Sequence, residues 1–437
     1  MIVRMTKRPY IAYNSIMSHL KNYYYDYLVR FIAFTVPKDA RILIIDQQEA
    51  VKNRGVSIPA GRYDYIVATD ILGYVADVQS FLLQAKESLH DDGRIVITQY
   101  NVLWEPVLRL ASHLRLRREI IEQNWLTRND LKNFAHLAGL ETVRSGAKML
   151  VPVYIPIVSF IFNHFIANIW PFTHLGLIHY LIVRKPVPRL PAQAQKGGPS
   201  ISIVVPARNE AGTIEKIARD LPRLGSSTEI IFVEGNSTDN TYDEIVRVSG
   251  LLGKTHNIKY CKQEGRGKGD AVRKGFDMAT GDILAIYDAD MTVPADELGK
   301  FYDALVGNKA DFVNGSRLVY PLEKDSMRVL NFFGNKFFSL AFSWILGQPL
   351  KDTLCGTKVL WRADYDKIQR GRSFFGDFDP FGDFDLLFGA AKLNLKIVDL
   401  PIHYKERVYG ETNISRWKHG WLLLKMTVFA ARKMRFL

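Results

Sequence analysis

Cysteine is scarce in this chain of 437 residues, which contains only Cys261 and Cys355. Two thiols cannot form a disulfide framework or a four-cysteine metal site, so we expect a reducing compartment. Long apolar runs are absent too, and a confident membrane-spanning helix requires about 18 uninterrupted apolar residues. The nearest candidate, residues 151–172, is broken by prolines and asparagines, so we expect a core helix or a surface lying on a bilayer. No apolar core with a cleavage site follows the basic residues 1–10, so no signal peptide is predicted.

Acidic residues are outnumbered, because 58 lysines and arginines face 45 aspartates and glutamates, for a net charge of +13. Such a charge implies anionic partners, which include nucleic acid, anionic lipid and phosphate-bearing small molecules. No RNA-binding signature or zinc-ligand spacing accompanies it, so we expect no nucleic-acid partner. The length predicts two or three domains.

The first half of the chain alternates strand and helix patterns. Residues 41–46, 65–68 and 94–98 are short apolar runs typical of buried strands. Between the last two, Phe81, Ala85 and Leu89 recur at helical spacing. This alternation predicts a parallel α/β sheet.

Residues 63–67, 70–74, 89–98 and 179–185 resemble the class I methyltransferases that use S-adenosylmethionine, over residues 35–186. The resemblance implies a Rossmann-like sheet. The glycine-rich turn that lets the backbone approach that cofactor is missing, because no glycine follows Asp46 until Gly55. The interval from Asp46 to Asp64 is also too short for the usual helix, strand and helix. We therefore expect residues 1–185 to form a truncated domain that does not bind S-adenosylmethionine, with Asp46 and Asp70 as turn or cap residues.

Two other roles for this first domain stay open. In the first role the domain is an active methyltransferase. In the second it binds a partner in a glycan-assembly complex. Residues 186–199, rich in proline and glycine, follow it and are predicted to be a linker.

The second half contains two closely spaced aspartates, Asp288 and Asp290, after the apolar run 283–286. Alternate side chains of an extended segment point the same way, so both carboxylates can share one face. Like charges this close repel unless a cation lies near them. Mg²⁺ and Mn²⁺ prefer such oxygen ligands, so the pair is a candidate metal site.

Two further strands, residues 200–205 and 229–233, precede this pair and end in polar loops. Helical patterns separate the strands, and a glycine-rich turn at residues 265–270 opens another helix. The order is that of an open α/β sheet, in which ligands bind at the carboxyl ends of the strands.

These loops resemble the family 2 glycosyltransferases of GT-A fold, most closely the polyprenyl-phosphate (dolichol-phosphate) mannose and glucose synthases. The matching features span residues 200–415 and agree in order and spacing. They are Val205-Pro206-Ala207-Arg208-Asn209-Glu210, the Ser237–Thr241 turn, Gly267-Lys268-Gly269, Asp288-Ala289-Asp290, Gly315-Ser316-Arg317, Asp352 with Cys355-Gly356-Thr357, and Arg407 to Glu411.

The resemblance implies a nucleotide-diphosphate sugar as donor and a divalent metal, Mg²⁺ or Mn²⁺. In that family pattern Asp290 holds the metal, and Asp288 contacts the ribose or a metal-bound water. Asp239 has the alternative role of a helix cap. The residues that match the donor site are Pro206, Arg208, Glu210, Glu234, Asp239, Arg266, Lys268 and Asp288.

The acceptor side is implied by Gly382-Asp383-Phe384-Asp385, which resembles the acidic motif of the same family. Asp383 is the candidate base for a hydroxyl acceptor, whereas a lipid phosphate needs none. Asp385 is either an acceptor ligand or a helix-start acid. Arg317 and Arg407 are candidates to hold an acceptor phosphate.

Residues 416–437 carry six basic residues and no acid, with Trp421, Leu424 and Val428 at helical spacing. Such a helix either lies on an anionic membrane or packs on the catalytic domain with a solvated basic face. We expect an inverting, metal-dependent transferase that moves a hexose to a polyprenyl phosphate, bound peripherally at the cytoplasmic face of a membrane. The alternative acceptor is a sugar of a growing glycan.

Overall fold

The computed structural model describes residues 16–46, 56, 58–114, 123–187, 189, 197–320, 329–374, 382, 384–407, 409 and 416–436, without the side chains of residues 16–22, 329–333 and 416–419. The chain divides into two compact units. The first comprises Met1–Val187 with Met434–Leu437, and the second comprises Pro188–Lys433. Each unit contains its own sheet flanked by helices, which confirms the predicted α/β class.

The first unit contains a five-stranded sheet in the order β1-β2-β3-β5-β4. Its strands are β1 Ile42–Asp46, β2 Tyr63–Thr69, β3 Leu89–Tyr100, β4 Glu141–Lys148 and β5 Ile178–Arg184. Its helices are α1 Ile16–Thr35, α2 Val78–Glu87, α3 Glu105–His113 and α4 Arg128–Leu137. Strand β5 runs antiparallel to both of its neighbours, whereas β1, β2 and β3 are parallel.

Strand β1 lies at an edge of this sheet. In a doubly wound dinucleotide-binding sheet the first strand is central, with the second and third strands beyond it. No counterpart of those two strands occurs among the residues described, and residues 47–55 lie outside them. The truncation of this domain stays a prediction.

Asp70 follows β2 with a left-handed φ of 54° and is buried. Its carboxylate accepts hydrogen bonds from the Tyr24 hydroxyl of α1 and from Thr98 Oγ1 at 3.0 Å. Both bonds come from within the fold, as expected of a turn residue.

The second unit contains a seven-stranded sheet in the order β12-β10-β11-β9-β6-β7-β8. Its strands are β6 Ile201–Ala207, β7 Thr228–Glu234, β8 Asn257–Lys262, β9 Ile283–Ile286, β10 Phe312–Ser316, β11 Lys358–Trp361 and β12 Ile397–Pro401. Its helices are α5 Ile214–Asp220, α6 Thr241–Leu252, α7 Lys268–Met278, α8 Leu298–Val306, α9 Val329–Leu346, α10 Arg362–Arg370, α11 Phe384–Lys392 and α12 Arg416–Met434.

Strand β9 lies near the centre of this sheet, and all four of its residues are buried. It pairs in parallel with β6 and antiparallel with β11, and β6 in turn pairs in parallel with β7. The carboxyl ends of β6, β7 and β9 therefore meet at one edge, where the polar loops were predicted.

Arg189, within the predicted linker, forms a buried double ion pair in the second unit. Its guanidinium lies 2.7 Å from Asp311 Oδ1 and 2.5 Å from Asp364 Oδ2, and both carboxylates are buried. This position is thus fixed to the second unit, although its composition predicts a linker. The borders of the linker stay a prediction.

The C-terminal helix α12 buries Leu423, Met426 and Ala430 and exposes Trp421 and Val428. The stripe of apolar residues predicted at helical spacing therefore does not coincide with the buried face of the helix, because two of its members are exposed. A search of the described part of the chain finds no helix with the length and apolar character needed to cross a bilayer.

We predict that Arg189→Ala lowers the free energy of unfolding by about 3–5 kcal/mol, because Asp311 and Asp364 would lose their buried counter-charge. Urea unfolding of the full chain, followed by circular dichroism, measures this loss. Arg219→Ala is the matched control, because its pair with Glu215 is exposed and contributes less than about 1 kcal/mol. Equal losses in the two variants would refute the anchoring role of Arg189.

Candidate functional site

The edge formed by β6, β7 and β9 collects most of the residues predicted to bind a donor. Arg208 and Glu210 follow β6, Glu234 ends β7, and Asp288 and Asp290 follow β9. The parallel pairing of β6 with its two neighbours brings these loops together. The site depends on sheet topology rather than on one local motif.

Asp288 forms an ion pair with Lys268, the first residue of α7, at 2.5 Å between Oδ1 and Nζ. Burial favours the neutral acid, but the charges of Lys268, Lys358 and Arg317 outweigh it and lower the pKa of Asp288. Asp288 is therefore an anion at neutral pH, with a lysine at its side.

Asp290 is held by its own loop. Its Oδ1 accepts hydrogen bonds from the backbone N–H of Thr292 at 3.2 Å and from the Thr292 hydroxyl at 2.9 Å. Its Oδ2 faces Arg407 Nη2 at 3.5 Å. One carboxylate oxygen is thus oriented by the loop, while the other faces the partly exposed edge.

Glu210 lies deeper and shares Arg407 with Asp290. Its Oε1 accepts a hydrogen bond from Arg407 Nη2 at 2.7 Å, whereas its buried Oε2 has no hydrogen-bond partner within the described residues. Burial raises the pKa of Glu210 from 4.5 to about 7; Arg407 opposes this rise, and the charges of Asp290, Asp239 and Asp288 add to it.

A divalent cation fits this edge. Glu210 has a raised pKa, caused first by burial and then by the neighbouring carboxylates, and its buried Oε2 has no hydrogen-bond partner within the described residues. Within the ranges described, no three His, Cys, Asp or Glu side chains converge closely enough to hold a metal on their own. Mg²⁺ is commonly held by one or two carboxylates, with water and substrate phosphate completing its shell. Asp288 and Asp290 match that pattern.

The other predicted donor residues surround this cluster. Glu234 is buried and accepts a hydrogen bond from Ser237 N at 2.6 Å, which closes the turn after β7. Asp239 accepts one from Thr241 N, the first residue of α6, although Asn240 occupies the N-cap position. Pro206 is the penultimate residue of β6.

Two exposed cations complete the predicted donor set. Arg208 follows β6, and Arg266 lies in the glycine-rich turn before α7. Both side chains are open to solvent at this edge, where a phosphate can reach them.

Two glycines allow close backbone approach at the site. A Cβ on Gly356 would lie 1.9 Å from Asp288 Oδ2 and 2.3 Å from Lys268 Nζ. A Cβ on Gly382 would lie 2.3 Å from the Cα of Gly269 in the glycine-rich turn. Both glycines belong to motifs visible in the sequence, but the motifs alone indicate no role for either of them. The sequence feature that could have indicated this role is their position inside loops that are otherwise polar.

Arg317 forms a buried, two-pronged ion pair with Asp352, at 2.7 Å from Nε to Oδ2 and 2.9 Å from Nη2 to Oδ1. Asn335 also donates to Asp352 Oδ1 at 3.0 Å. Burial opposes ionisation of Asp352, but Arg317 lowers its pKa to about 2. Arg317 is thus engaged within the protein, and a role in holding an acceptor phosphate stays a prediction.

Asp385 lies in the first turn of α11 and is buried, with Arg372 Nε at 3.3 Å and Arg273 Nη1 at 3.9 Å. Asp383, the candidate base, lies outside the described residues.

Comparison with protein families finds two matches. Residues 202–368 match the family model described as glycosyl transferase family 2, and residues 17–145 match that of a methyltransferase domain. The two matches fall in the second and first unit, respectively.

Similar curated proteins match about half of the chain. Glycosyltransferase AglD of Haloferax volcanii is 26% identical over 238 residues, 53% of this chain and 37% of that protein. The low-salt glycan biosynthesis hexosyltransferase Agl6 of the same organism is 28% identical over 231 residues, 51% of this chain and 52% of the relative. The dolichyl-phosphate beta-glucosyltransferase of Saccharomyces cerevisiae is 27% identical over 237 residues, 47% of this chain and 67% of the relative. The chain therefore spans 37% and 52% of the length of the first two.

Among solved structures, glucosyl-3-phosphoglycerate synthase from Mycobacterium tuberculosis, in complex with Mn²⁺, UDP and glucosyl-3-phosphoglycerate, is 19% identical. The match covers 54% of this chain and 80% of that one, with a TM-score of 0.40. A likeness at this level carries no argument about function.

We predict that Gly356→Ala separates Lys268 from Asp288, because the added methyl group occupies the space of both charged atoms. A hydrogen bond to a charged group contributes about 1.5–3 kcal/mol, and about 1.4 kcal/mol is tenfold in affinity, so we expect binding of UDP or GDP with Mn²⁺ to weaken at least about tenfold in calorimetry. Gly250→Ala is the control, because a Cβ there meets nothing within 4 Å. Unchanged binding in a folded Gly356→Ala protein would contradict the prediction.

Proposed function

We propose that this glycosyltransferase, whose family 2 domain includes residues 202–368 and follows a methyltransferase-like domain, moves a hexose from a nucleotide sugar to a polyprenyl phosphate at a membrane surface. The observation that carries the proposal is the charged edge at which Glu210, Lys268, Asp288, Asp290 and Arg407 converge. The similarity to a dolichyl-phosphate beta-glucosyltransferase supports the acceptor class.

The donor binds at this edge in our proposal. Pro206, Arg208 and Glu234 would face the base and ribose, and Arg266 and Lys268 would face the diphosphate. Lys268 is well suited to that task because it begins a helix, whose N-terminus favours anions. Its pairing with Asp288 holds the ammonium in place until a phosphate arrives.

A divalent ion held by Asp290 and Asp288 would neutralise charge on the departing diphosphate. The chain's own residues orient the groups around it. Thr292 fixes one oxygen of Asp290, and Arg407 holds Glu210 beside it. Attack on the sugar from the face opposite the diphosphate inverts the anomeric carbon.

The acceptor decides whether a base is needed. A lipid phosphate is already ionised and attacks directly, so Asp383 would then position it. A hydroxyl acceptor needs a base, and Asp383 is the proposed one. Asp385, Arg317 and Arg407 are the proposed acceptor contacts.

The exposed face of α12 suits a peripheral position on an anionic membrane. It presents Trp421 and Val428 beside Lys425 and Arg432, all of them exposed. Basic and aromatic side chains on one helix face favour anionic lipid surfaces.

We predict that Asp290→Ala abolishes metal-stimulated transfer while the protein stays folded. A screen of UDP- and GDP-sugars, with and without Mn²⁺, measures transfer to a polyprenyl phosphate in detergent, and circular dichroism checks the fold. Asp243→Ala, an exposed acid on α6, is the matched control. Full metal-dependent turnover in Asp290→Ala would remove the metal assignment.

The second candidate acceptor is a sugar of a growing glycan, which the similarity to a glycan biosynthesis hexosyltransferase favours. Incubation of membranes with a labelled nucleotide sugar separates the two. Label in organic-extractable lipid supports the polyprenyl phosphate, whereas label confined to an aqueous glycan favours the alternative.

The match of residues 17–145 to a methyltransferase domain also leaves a bifunctional enzyme to be tested. We predict that calorimetry detects no binding of S-adenosylmethionine, because the glycine-rich cofactor turn is missing from the sequence. Measurable binding would overturn this prediction and favour a bifunctional enzyme over a docking module.

A further inference from the structure

The first unit carries a long excursion between two paired strands. Strand β4 ends at Lys148 and β5 begins at Ile178, and these two residues are partners in the antiparallel ladder. Hairpin connections normally take two to about five residues, and loops longer than about 15 residues are usually functional. Residues 149–177, which we name the β4–β5 excursion, are far longer than a connection between these strands requires. We therefore expect them to have a function of their own.

In most of the excursion polar side chains are buried and large apolar side chains are exposed, which is the reverse of the usual pattern in a soluble protein. Among its described residues, Ser159, Asn163 and Asn168 are buried, whereas Ile157 is 73% exposed and Trp170 is 77% exposed. Thirteen large apolar residues are exposed between Val153 and Leu175. Contiguous apolar surface of this kind marks an interaction site.

The buried polar side chains satisfy the backbone of the excursion. Asn163 Oδ1 accepts from the N–H groups of Leu150 and Val151 at 2.7 and 2.8 Å, and its Nδ2 donates to the Val151 carbonyl at 2.8 Å. Ser159 accepts from Ile155 N and lies within 2.9 Å of the Ile155 carbonyl. Irregular backbone placed in an apolar medium requires such internal partners, because each unsatisfied group costs several kcal/mol there.

The excursion also carries no formal charge. Residues 149–177 include no Asp, Glu, Lys or Arg. Aromatic side chains with polar edges, of which Tyr154 is 65% and Trp170 77% exposed, are enriched where lipid headgroups meet the apolar interior. Protein interfaces instead combine their apolar centre with arginines and a polar rim.

We propose that residues 153–175 form a membrane-insertion surface that enters one leaflet of a lipid bilayer without crossing it. The helical turns within it, of three to five residues each, are far too short to span. The surface goes beyond the proposed function, because it would bind a bilayer whatever sugar or acceptor the second unit uses. It lies on the methyltransferase-like unit, and it favours the bilayer surface over the core helix as the role of residues 151–172.

Vesicle flotation of the full chain tests the proposal, with phosphatidylcholine vesicles at low and high ionic strength. Binding through an uncharged surface persists in high salt, whereas binding through the basic helix α12 is screened. The test variant is Tyr154→Ser/Ile157→Ser/Trp170→Ser, and the control is Val246→Ser/Leu251→Ser, two exposed apolar residues of α6. We expect the test variant to lose salt-resistant binding by at least about tenfold, and the control to keep it.

Quenching by brominated lipid gives a second measurement that does not depend on that triple variant. Tryptophan fluorescence of the wild type should be quenched, and Trp170→Phe should lose most of the quenching. Equal binding of the test and control variants, or a wild type that binds no vesicles, would overturn the proposal. A change from oligomer to monomer in the test variant without vesicle binding would also overturn it in favour of a protein interface.

Sugar transfer to an acceptor in detergent micelles should be measured on the same samples. This measurement distinguishes failure of the membrane-insertion surface from failure of the proposed transferase function. The test variant should retain that activity. If the wild type transfers no sugar but binds vesicles, only the proposed function fails.

Discussion

Charge compensation at the carboxyl edge of the seven-stranded sheet is the constraint on which the second unit depends. Burial raises the pKa of Glu210 there, and the charges of Asp290, Asp239 and Asp288 add to that rise. Lys268 and Arg407 neutralise part of that charge in the free protein. In the proposed function, a cation bound with an anionic diphosphate would add little net charge to this edge, so donor binding would exchange one set of ion pairs for another.

Much of this site could be predicted from the sequence, because its parts are local. The spacing of Asp288 and Asp290 after a buried strand, and the glycine-rich turn before Lys268, are visible in a few consecutive residues. Parallel strands then bring their loops to one edge. Every strand predicted in the first unit is present, although β3 is longer than the apolar run that indicated it.

Contacts between distant residues could not be predicted in the same way. Arg407 and Glu210 are 197 residues apart, and nothing in either motif specifies their pairing. Arg189 lies in a segment whose composition predicts a linker, yet the carboxylates that hold it lie far along the chain. The steric role of Gly356 depends on the packing of its loop against Asp288. Hydrophobic periodicity carries no information on such contacts. It also misleads between residues 153 and 175, where large apolar side chains are exposed while Ser159, Asn163 and Asn168 are buried.

The pairing of Lys148 with Ile178 has an evolutionary consequence. Because the excursion leaves and re-enters the sheet at adjacent partners, a single insertion or deletion in a gene can add or remove it without changing the register of β4 and β5. A two-residue turn would close the same hairpin. Removal of residues 149–177 would therefore leave the sheet in the same register while taking away the surface that we propose enters a leaflet.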